Sequence, residues 1–110
     1  VTDLENIQPL STFYVSETDS PWSQCKGRFG AHQYREKIDG TLVYVTWFSG
    51  GLRVVDIADP FSPKEVAHYI PEAPEGYPSP QSNDVDVDEN GVIYLLDRNH
   101  GLEILKLENV

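Results

Sequence analysis

The fold is decided by the stretch Gly50-Gly51-Leu52-Arg53-Val54-Val55-Asp56-Ile57, which recurs fifty residues later as His100-Gly101-Leu102-Glu103-Ile104-Leu105-Lys106-Leu107. The match continues upstream, where Tyr44-Val45-Thr46 corresponds to Tyr94-Leu95-Leu96 at the same offset. Self-similarity at a period near fifty residues is typical of repeat architectures. The sequence therefore predicts two units of one repeated supersecondary structure.

Length, charge and composition exclude several classes of protein. The chain has 110 residues, room for one small domain, and a formal net charge of -10. Such an acidic surface repels nucleic acid and anionic membranes, so we expect no nucleic-acid partner. No apolar run approaches the length of a membrane span, so we expect no membrane-spanning segment. With 39% apolar and 11% aromatic residues, the chain is not expected to be disordered.

The single cysteine, Cys25, excludes an intrachain disulfide framework. It leaves the compartment open, because secreted, cell-envelope and cytoplasmic locations all fit. Arg28 lies close enough in sequence to favour a thiolate, but no partner base is identifiable, which argues against a nucleophilic cysteine. Because the chain has no Met and begins at Val1, we expect a processed or excised piece of a longer product.

Segments rich in β-forming residues alternate with turn residues through both units. Residues 1–29 are predicted to form the end of a preceding unit, with an outer strand at 11–15, plus a long loop. Residues 71–81 form a Pro-rich connection, and residues 82–110 a second unit that lacks its outer strand. The first complete unit, residues 30–70, is predicted to have four strands, at 30–34, 42–48, 52–57 and 66–70.

The predicted fold class is all-β. No long segment shows helical periodicity, and the middle strands carry apolar residues on both alternating faces, so each sheet must be covered on both sides. A four-stranded antiparallel sheet that stacks on a like sheet at each face is a blade of a β-propeller. We therefore expect two four-stranded blades of a propeller, as a fragment or a subunit of a larger ring.

The sequence from Gly51 to Pro60, Gly-Leu-Arg-Val-Val-Asp-Ile-Ala-Asp-Pro, followed by Pro63, closely resembles the LVIVD repeat of bacterial and archaeal β-propellers. Residues 84–98 resemble the same repeat with features of the NHL type. The second unit departs from the pattern at Lys106, where the repeat has Asp, and it lacks the Asp-Pro exit. The resemblance implies a fold and no reaction. It also implies that the first strands, residues 30–34 and 82–86, line a central channel.

Two blades alone would leave apolar faces bare at both ends. Each large residue so exposed forgoes about 1.5–3 kcal/mol of burial, and repeat arrays generally need three or more units. We therefore expect other blades as partners, supplied either by the remainder of a precursor or by identical copies. In a ring of identical copies, residues 11–15 would supply the missing fourth strand to the second unit of an adjacent copy, or to the second unit of their own chain if the chain curls back.

His32 is the first candidate for a functional residue, as a metal ligand or a base presented to the channel. The alternative is a hydrogen-bonded structural histidine between blades. Alignment of the two units places His32 opposite Asn83 and Gln33 opposite Asp84, at an offset of 51. The predicted ligand-binding residues are His32, Gln33, Asn83 and Asp84, with Trp22 and Tyr77 as caps from the long loops and Arg98 at the rim.

The acidic run Asp84-Val85-Asp86-Val87-Asp88 permits two interpretations. Its spacing fits the start of a calcium loop, but Glu89 stands where such a loop needs Gly and no Glu closes it. Alternation with Val85 and Val87 favours a half-buried strand followed by a turn. A divalent metal ion is the candidate cofactor, with His32 and Asp84 as its candidate ligands.

Two functions follow as hypotheses. The first is a non-catalytic scaffold or binding module that presents a ligand or protein site at the channel mouth. The second is a propeller enzyme, a hydrolase, lyase or metal-dependent isomerase, in which His32 acts as metal ligand or base.

Overall fold

Two three-stranded antiparallel sheets form the regular structure of the computed structural model, which describes residues 5–22, 26–38 and 40–108. Sheet 1 has the order β1-β2-β3 and sheet 2 the order β4-β5-β6. Within these residues no helix is long and apolar enough to cross a membrane. The strands are β1 (Leu42–Thr46), β2 (Leu52–Asp56), β3 (Lys64–Tyr69), β4 (Ser82–Val87), β5 (Val92–Asp97) and β6 (Gly101–Lys106).

The turn before β2 depends on a glycine. Gly51 has a φ of 75°, in the left-handed region that side chains disfavour. A Cβ at this position would overlap the carbonyl oxygen of Tyr69 and lie 2.8 Å from the Cα of Ile70. The close approach of β3 to the turn therefore requires a residue without a side chain.

The hydrophobic core lies between the two sheets. Cross-strand partners share a face, so pairs such as Tyr44–Val54 and Val85–Leu95 point in one direction. We call these the inner faces, since they pack against each other. The inner face of sheet 1 carries Leu42, Tyr44, Leu52, Val54 and Ala67, and that of sheet 2 carries Val85, Val87, Ile93, Leu95 and Leu105.

The outer face of sheet 1, defined by Val43, Val45, Arg53 and Val55, is partly covered by the N-terminal segment. Phe13 meets Trp47 edge-on with ring centroids 5.8 Å apart. A cavity of about 430 Å³ remains open beside these contacts, lined by Val43, Val45 and Val55 among others. The segment is thus an incomplete cover.

The outer face of sheet 2 has no such cover in the part of the chain that the structure describes. We define it by Tyr94, Leu96, Leu102 and Ile104, all of which are exposed. Leu102 and Ile104 are 56% and 62% exposed, whereas Leu52 and Val54 are 2% and 1% exposed. Val54 and Val55 are therefore shielded by this one polypeptide, and Ile104 is not.

The prediction of two four-stranded blades is wrong, although the all-β class is confirmed: each sheet has three strands. In the first unit, the predicted inner strand at 30–34 only touches β1, through isolated bridges such as Tyr34–Val45. Thr46 faces both His32 and Gln33: its carbonyl accepts from His32 N–H, its N–H donates to Gln33 O, and its hydroxyl bonds both backbone groups of Gln33. This slip in pairing prevents a continuous strand.

The second unit was predicted to lack an outer strand of its own and to take one from residues 11–15. No strand within the described residues pairs with the far side of β6, so sheet 2 ends there. Residues 11–15, predicted as an outer strand, have no strand structure and instead run along sheet 1. The predicted Asp-Gly hairpin turn includes Asp39, which lies outside the described residues.

Candidate functional site

An open groove runs between the two units where their first segments lie side by side. Its volume is about 890 Å³, and one wall is formed by residues 33–37 and the other by residues 84–89. Both walls are edges of their sheets, since residues 29–35 flank β1 and β4 is the first strand of sheet 2. Neither unit alone would form the groove.

His32 lies at one end of this junction. Its Nδ1 is 2.7 Å from the carbonyl oxygen of Asn83, and its ring is 4.5 Å from the ring of Phe48. A carbonyl only accepts, so Nδ1 carries the proton and donates it, which in the neutral ring leaves the lone pair on Nε2. His32 is exposed, so Nε2 can accept a hydrogen bond or bind a metal ion from outside.

Side chains of the first unit also bind the free edge of β4. Thr46 Oγ1 lies 3.2 Å from Asn83 O, and Arg35 Nη2 donates to Val87 O at 2.7 Å. Arg35 Nε is 3.3 Å from the Asp86 carboxylate. These contacts hold the two walls of the groove at a fixed separation.

The edge of β4 is capped by its own carboxylates as well. Asp84 accepts from the N–H of Val85, and Asp86 accepts from the N–H of Val87, each at 2.8 Å. The alternating acids therefore bond the strand rather than circle an ion. This confirms the interpretation of the acidic run as a strand followed by a turn.

Asp88 organises the turn that follows β4. It accepts from the N–H groups of Asn90 and Val92, and from the Tyr94 hydroxyl at 3.0 Å. The bond from Val92 N–H, supported by those from Asn90 and Tyr94, holds the pKa of Asp88 below its usual range despite some desolvation. Asp88 in turn raises the pKa of the Tyr94 phenol.

The groove is strongly acidic. Two cationic side chains, Arg35 and Lys37, stand against five carboxylates. A concave site with this charge attracts cations and repels anions. The five carboxylates belong to Glu36, Asp84, Asp86, Asp88 and Glu89.

The structure brings some predicted site residues together and separates others. His32 and Asn83 are in contact, and Gln33 and Asp84 line opposite walls of the groove. Trp22 lies elsewhere, on the outer face of sheet 1, with its ring 4.5 Å from the Arg53 guanidinium. Tyr77 and Arg98 are exposed on the connection 71–81 and on the β5–β6 turn, and neither lines the groove.

Two residues beside His32 were not among the predicted site residues. Phe48 has a φ of 50°, a conformation rare outside glycine, and its ring lies 5.4 Å from the Arg28 guanidinium as well as against His32. The available signal was the turn sequence Ser49-Gly50-Gly51 that follows it, which marks Phe48 as the last residue before a turn. Phe48 therefore supplies an aromatic platform between a histidine and a cation.

The described side chains give little support to the hypothesis that this chain binds a metal ion. Among them, no group of three or more His, Cys, Asp or Glu residues is arranged to hold a metal ion. His32 and Asp84 thus have no described companions that complete a ligand set. Cys25 lies outside the described residues.

Comparison of this chain with known protein families, curated proteins and solved structures found no match.

Proposed function

We propose that this chain is a non-catalytic binding module whose ligand is a basic segment of a protein, held in the groove between the two units. The observation that carries the proposal is the groove itself, whose two walls come from different units and together present five carboxylates. An extended peptide with Lys or Arg side chains fits an open groove of about 890 Å³ between two strand edges and matches its negative charge.

The residues at the end of the groove extend the same proposal. His32 Nε2 offers an acceptor to a peptide N–H, and the Phe48 ring offers an apolar and cation-attracting surface. Arg35 is committed to Asp86 and Val87, so its role is to hold the walls together. Binding is thus assigned to the carboxylates and His32, and positioning to Arg35.

The test uses two double variants with the same net charge. Glu36→Gln with Glu89→Gln neutralises two groove carboxylates, and Glu17→Gln with Glu75→Gln neutralises two exposed carboxylates elsewhere. Titration of a Lys- and Arg-rich peptide, followed by calorimetry, should show about fivefold to tenfold weaker binding for the groove variant, from about 0.5–0.7 kcal/mol per exposed charge.

The control variant should bind nearly as tightly as the wild type. Equal weakening in both variants would mean that the overall negative charge, and not the groove, attracts the peptide. Absence of saturable binding to the wild type would end the proposal.

The enzyme hypothesis retains one supporting observation, the outward Nε2 of His32. Its test is elemental analysis of the wild type and of His32→Ala. A stoichiometric metal that is lost on substitution would favour the enzyme, and unchanged metal content with weakened peptide binding would favour the module.

We also propose that the two units are repeats of the LVIVD type. Support comes from the equivalent placement of the two matching stretches, since a positive-φ glycine precedes both Leu52 of β2 and Leu102 of β6, and each strand pairs with the preceding strand of its unit. This assignment concerns the repeat and adds nothing to the choice between binding and catalysis.

A further inference from the structure

The outer face of sheet 2 is built from the repeat positions that sheet 1 buries. At the offset of fifty residues, Leu102 corresponds to Leu52 and Ile104 to Val54. Leu52 and Val54 are core residues of the inner face of sheet 1, while Leu102 and Ile104 are more than half exposed. One kind of sheet face is thus present twice, once covered and once bare.

The molecule itself shows what covers a face of this kind. The inner face of sheet 1 packs against Ile93, Leu95 and Leu105 of sheet 2. At the same offset these residues correspond to Val43, Val45 and Val55, which form the outer face of sheet 1. The outer face of sheet 1 is therefore the repeat equivalent of the surface that already packs against Leu52 and Val54.

We propose that the outer face of sheet 2 docks on the outer face of sheet 1 of a second copy of this chain. The contact reproduces the packing between the two sheets of one molecule, with the second copy in the place of a next unit. It is a head-to-tail contact, since two different surfaces meet. The docking surfaces are the outer faces of the two sheets and not the groove between the units.

Charge favours this arrangement over a symmetric one. Arg35 and Asp86 occupy equivalent positions in the two units and form an ion pair across the intramolecular interface. Head-to-tail docking brings Asp86 of one copy towards Arg35 of the next, so opposite charges meet again. Docking of two sheet 2 outer faces on each other would instead bring Asp84 and Asp86 of both copies together, which costs free energy.

The N-terminal segment competes with the second copy for the outer face of sheet 1. It holds that face through the edge contact of Phe13 with Trp47 and through a bond from Ser11 Oγ to Pro60 O at 2.6 Å. The cavity beside it leaves Val43 and Val45 half-buried rather than covered. Displacement of this partial cover costs part of the docking energy, so the association is weaker than it would be on a bare face.

The experiment is sedimentation velocity over a broad concentration series with three single variants. Ile104→Glu blocks the outer face of sheet 2, and Ile57→Glu blocks the rim of the outer face of sheet 1. Tyr77→Glu, an exposed position on the 71–81 connection, is the matched control. Tyr34→Glu, exposed in the same cavity, replaces Ile57→Glu if circular dichroism shows that the latter does not fold.

The wild type and Tyr77→Glu should self-associate with rising concentration, and each face variant alone should not. A mixture of the two face variants should give a one-to-one heterodimer that grows no further, since one productive pair of faces remains. A wild type that stays monomeric throughout overturns the proposal. So does self-association of Ile57→Glu equal to that of the wild type, because this would indicate symmetric docking.

Discussion

Leu52 and Leu102 occupy the same place in two units of one repeat, yet one is sealed in the core and the other faces solvent. The local structure around them is alike, with a positive-φ glycine before each and a paired strand beside each. What differs is the neighbour: sheet 1 has sheet 2 against this face, and sheet 2 has no described neighbour there. The repeat thus defines a surface for packing, and the position of a unit in the chain decides whether that surface is covered.

The largest expected difference is between Leu52→Ala and Leu102→Ala. Truncation of Leu52 removes buried methyl groups and leaves a cavity, so we expect a loss of about 2–5 kcal/mol in the free energy of unfolding. Truncation of Leu102 in dilute protein should change it by no more than about 0.5 kcal/mol. Urea unfolding at low protein concentration measures both, and similar losses would show that the outer face of sheet 2 is covered in solution.

A smaller difference is expected between the two preceding glycines. Gly101→Ala places a side chain at a φ of 104° in open space, so only backbone strain of about 1–2 kcal/mol opposes it. Gly51→Ala adds the overlap with β3, a further destabilisation of about 1–3 kcal/mol. The midpoints of urea unfolding of the two variants should therefore differ clearly. Equal midpoints would mean that β3 moves away from the turn at little cost.

The smallest expected effect is a pH dependence of stability that the β4–β5 turn of the second unit has and the corresponding turn of the first unit lacks. Asp88 accepts the bonds that hold the turn of the second unit, and at the offset of 51 that aligns the first segments of the two units the first unit has Lys37, which has no carboxylate to accept such bonds. Because the pKa of Asp88 is lowered in the folded state, its contribution to stability is present above the usual carboxyl value of 3.8 and disappears as pH falls through the lower folded-state value.

Asp88→Asn should therefore be less stable than the wild type near neutral pH, and the deficit should close under acid conditions below the usual carboxyl pKa. Thermal unfolding across a pH series measures this, with Glu17→Gln as the control for loss of one charge. A deficit that stays constant down to strongly acid pH would assign the effect of Asp88 to shape alone.

Much of the fold could be predicted because the signal was local and repeated. The β-forming segments and turn residues predicted strands at 42–48, 52–57 and 66–70, and β1, β2 and β3 lie within two residues of these bounds. The segment before β1 was not predicted correctly, because the Thr46 hydroxyl bonds the backbone of Gln33 and interrupts the pairing. The alternation of apolar and polar residues does not show where a side chain will compete for the backbone hydrogen bonds between two strands.

The candidate site also contains residues whose placement follows from the repeat and residues whose placement does not. Alignment of the units placed His32 and Asn83 at equivalent repeat positions, and in the structure His32 Nδ1 lies 2.7 Å from the Asn83 carbonyl oxygen. The loop residues were beyond such reasoning: Trp22 lies against Arg53 and His68 on the other side of sheet 1. Contacts between an irregular segment and a distant sheet depend on tertiary packing, which a repeat period does not encode.

The carboxylates along β4 have a consequence for how this protein behaves at high concentration. An open strand edge is a template on which other chains can add strands and start fibrils. In β4 the outward N–H groups of Val85 and Val87 are already taken by the preceding aspartates, so an incoming strand would find no free donors there. The aspartates that attract cations to the groove therefore also make the β4 edge a poor template for the addition of strands from other molecules.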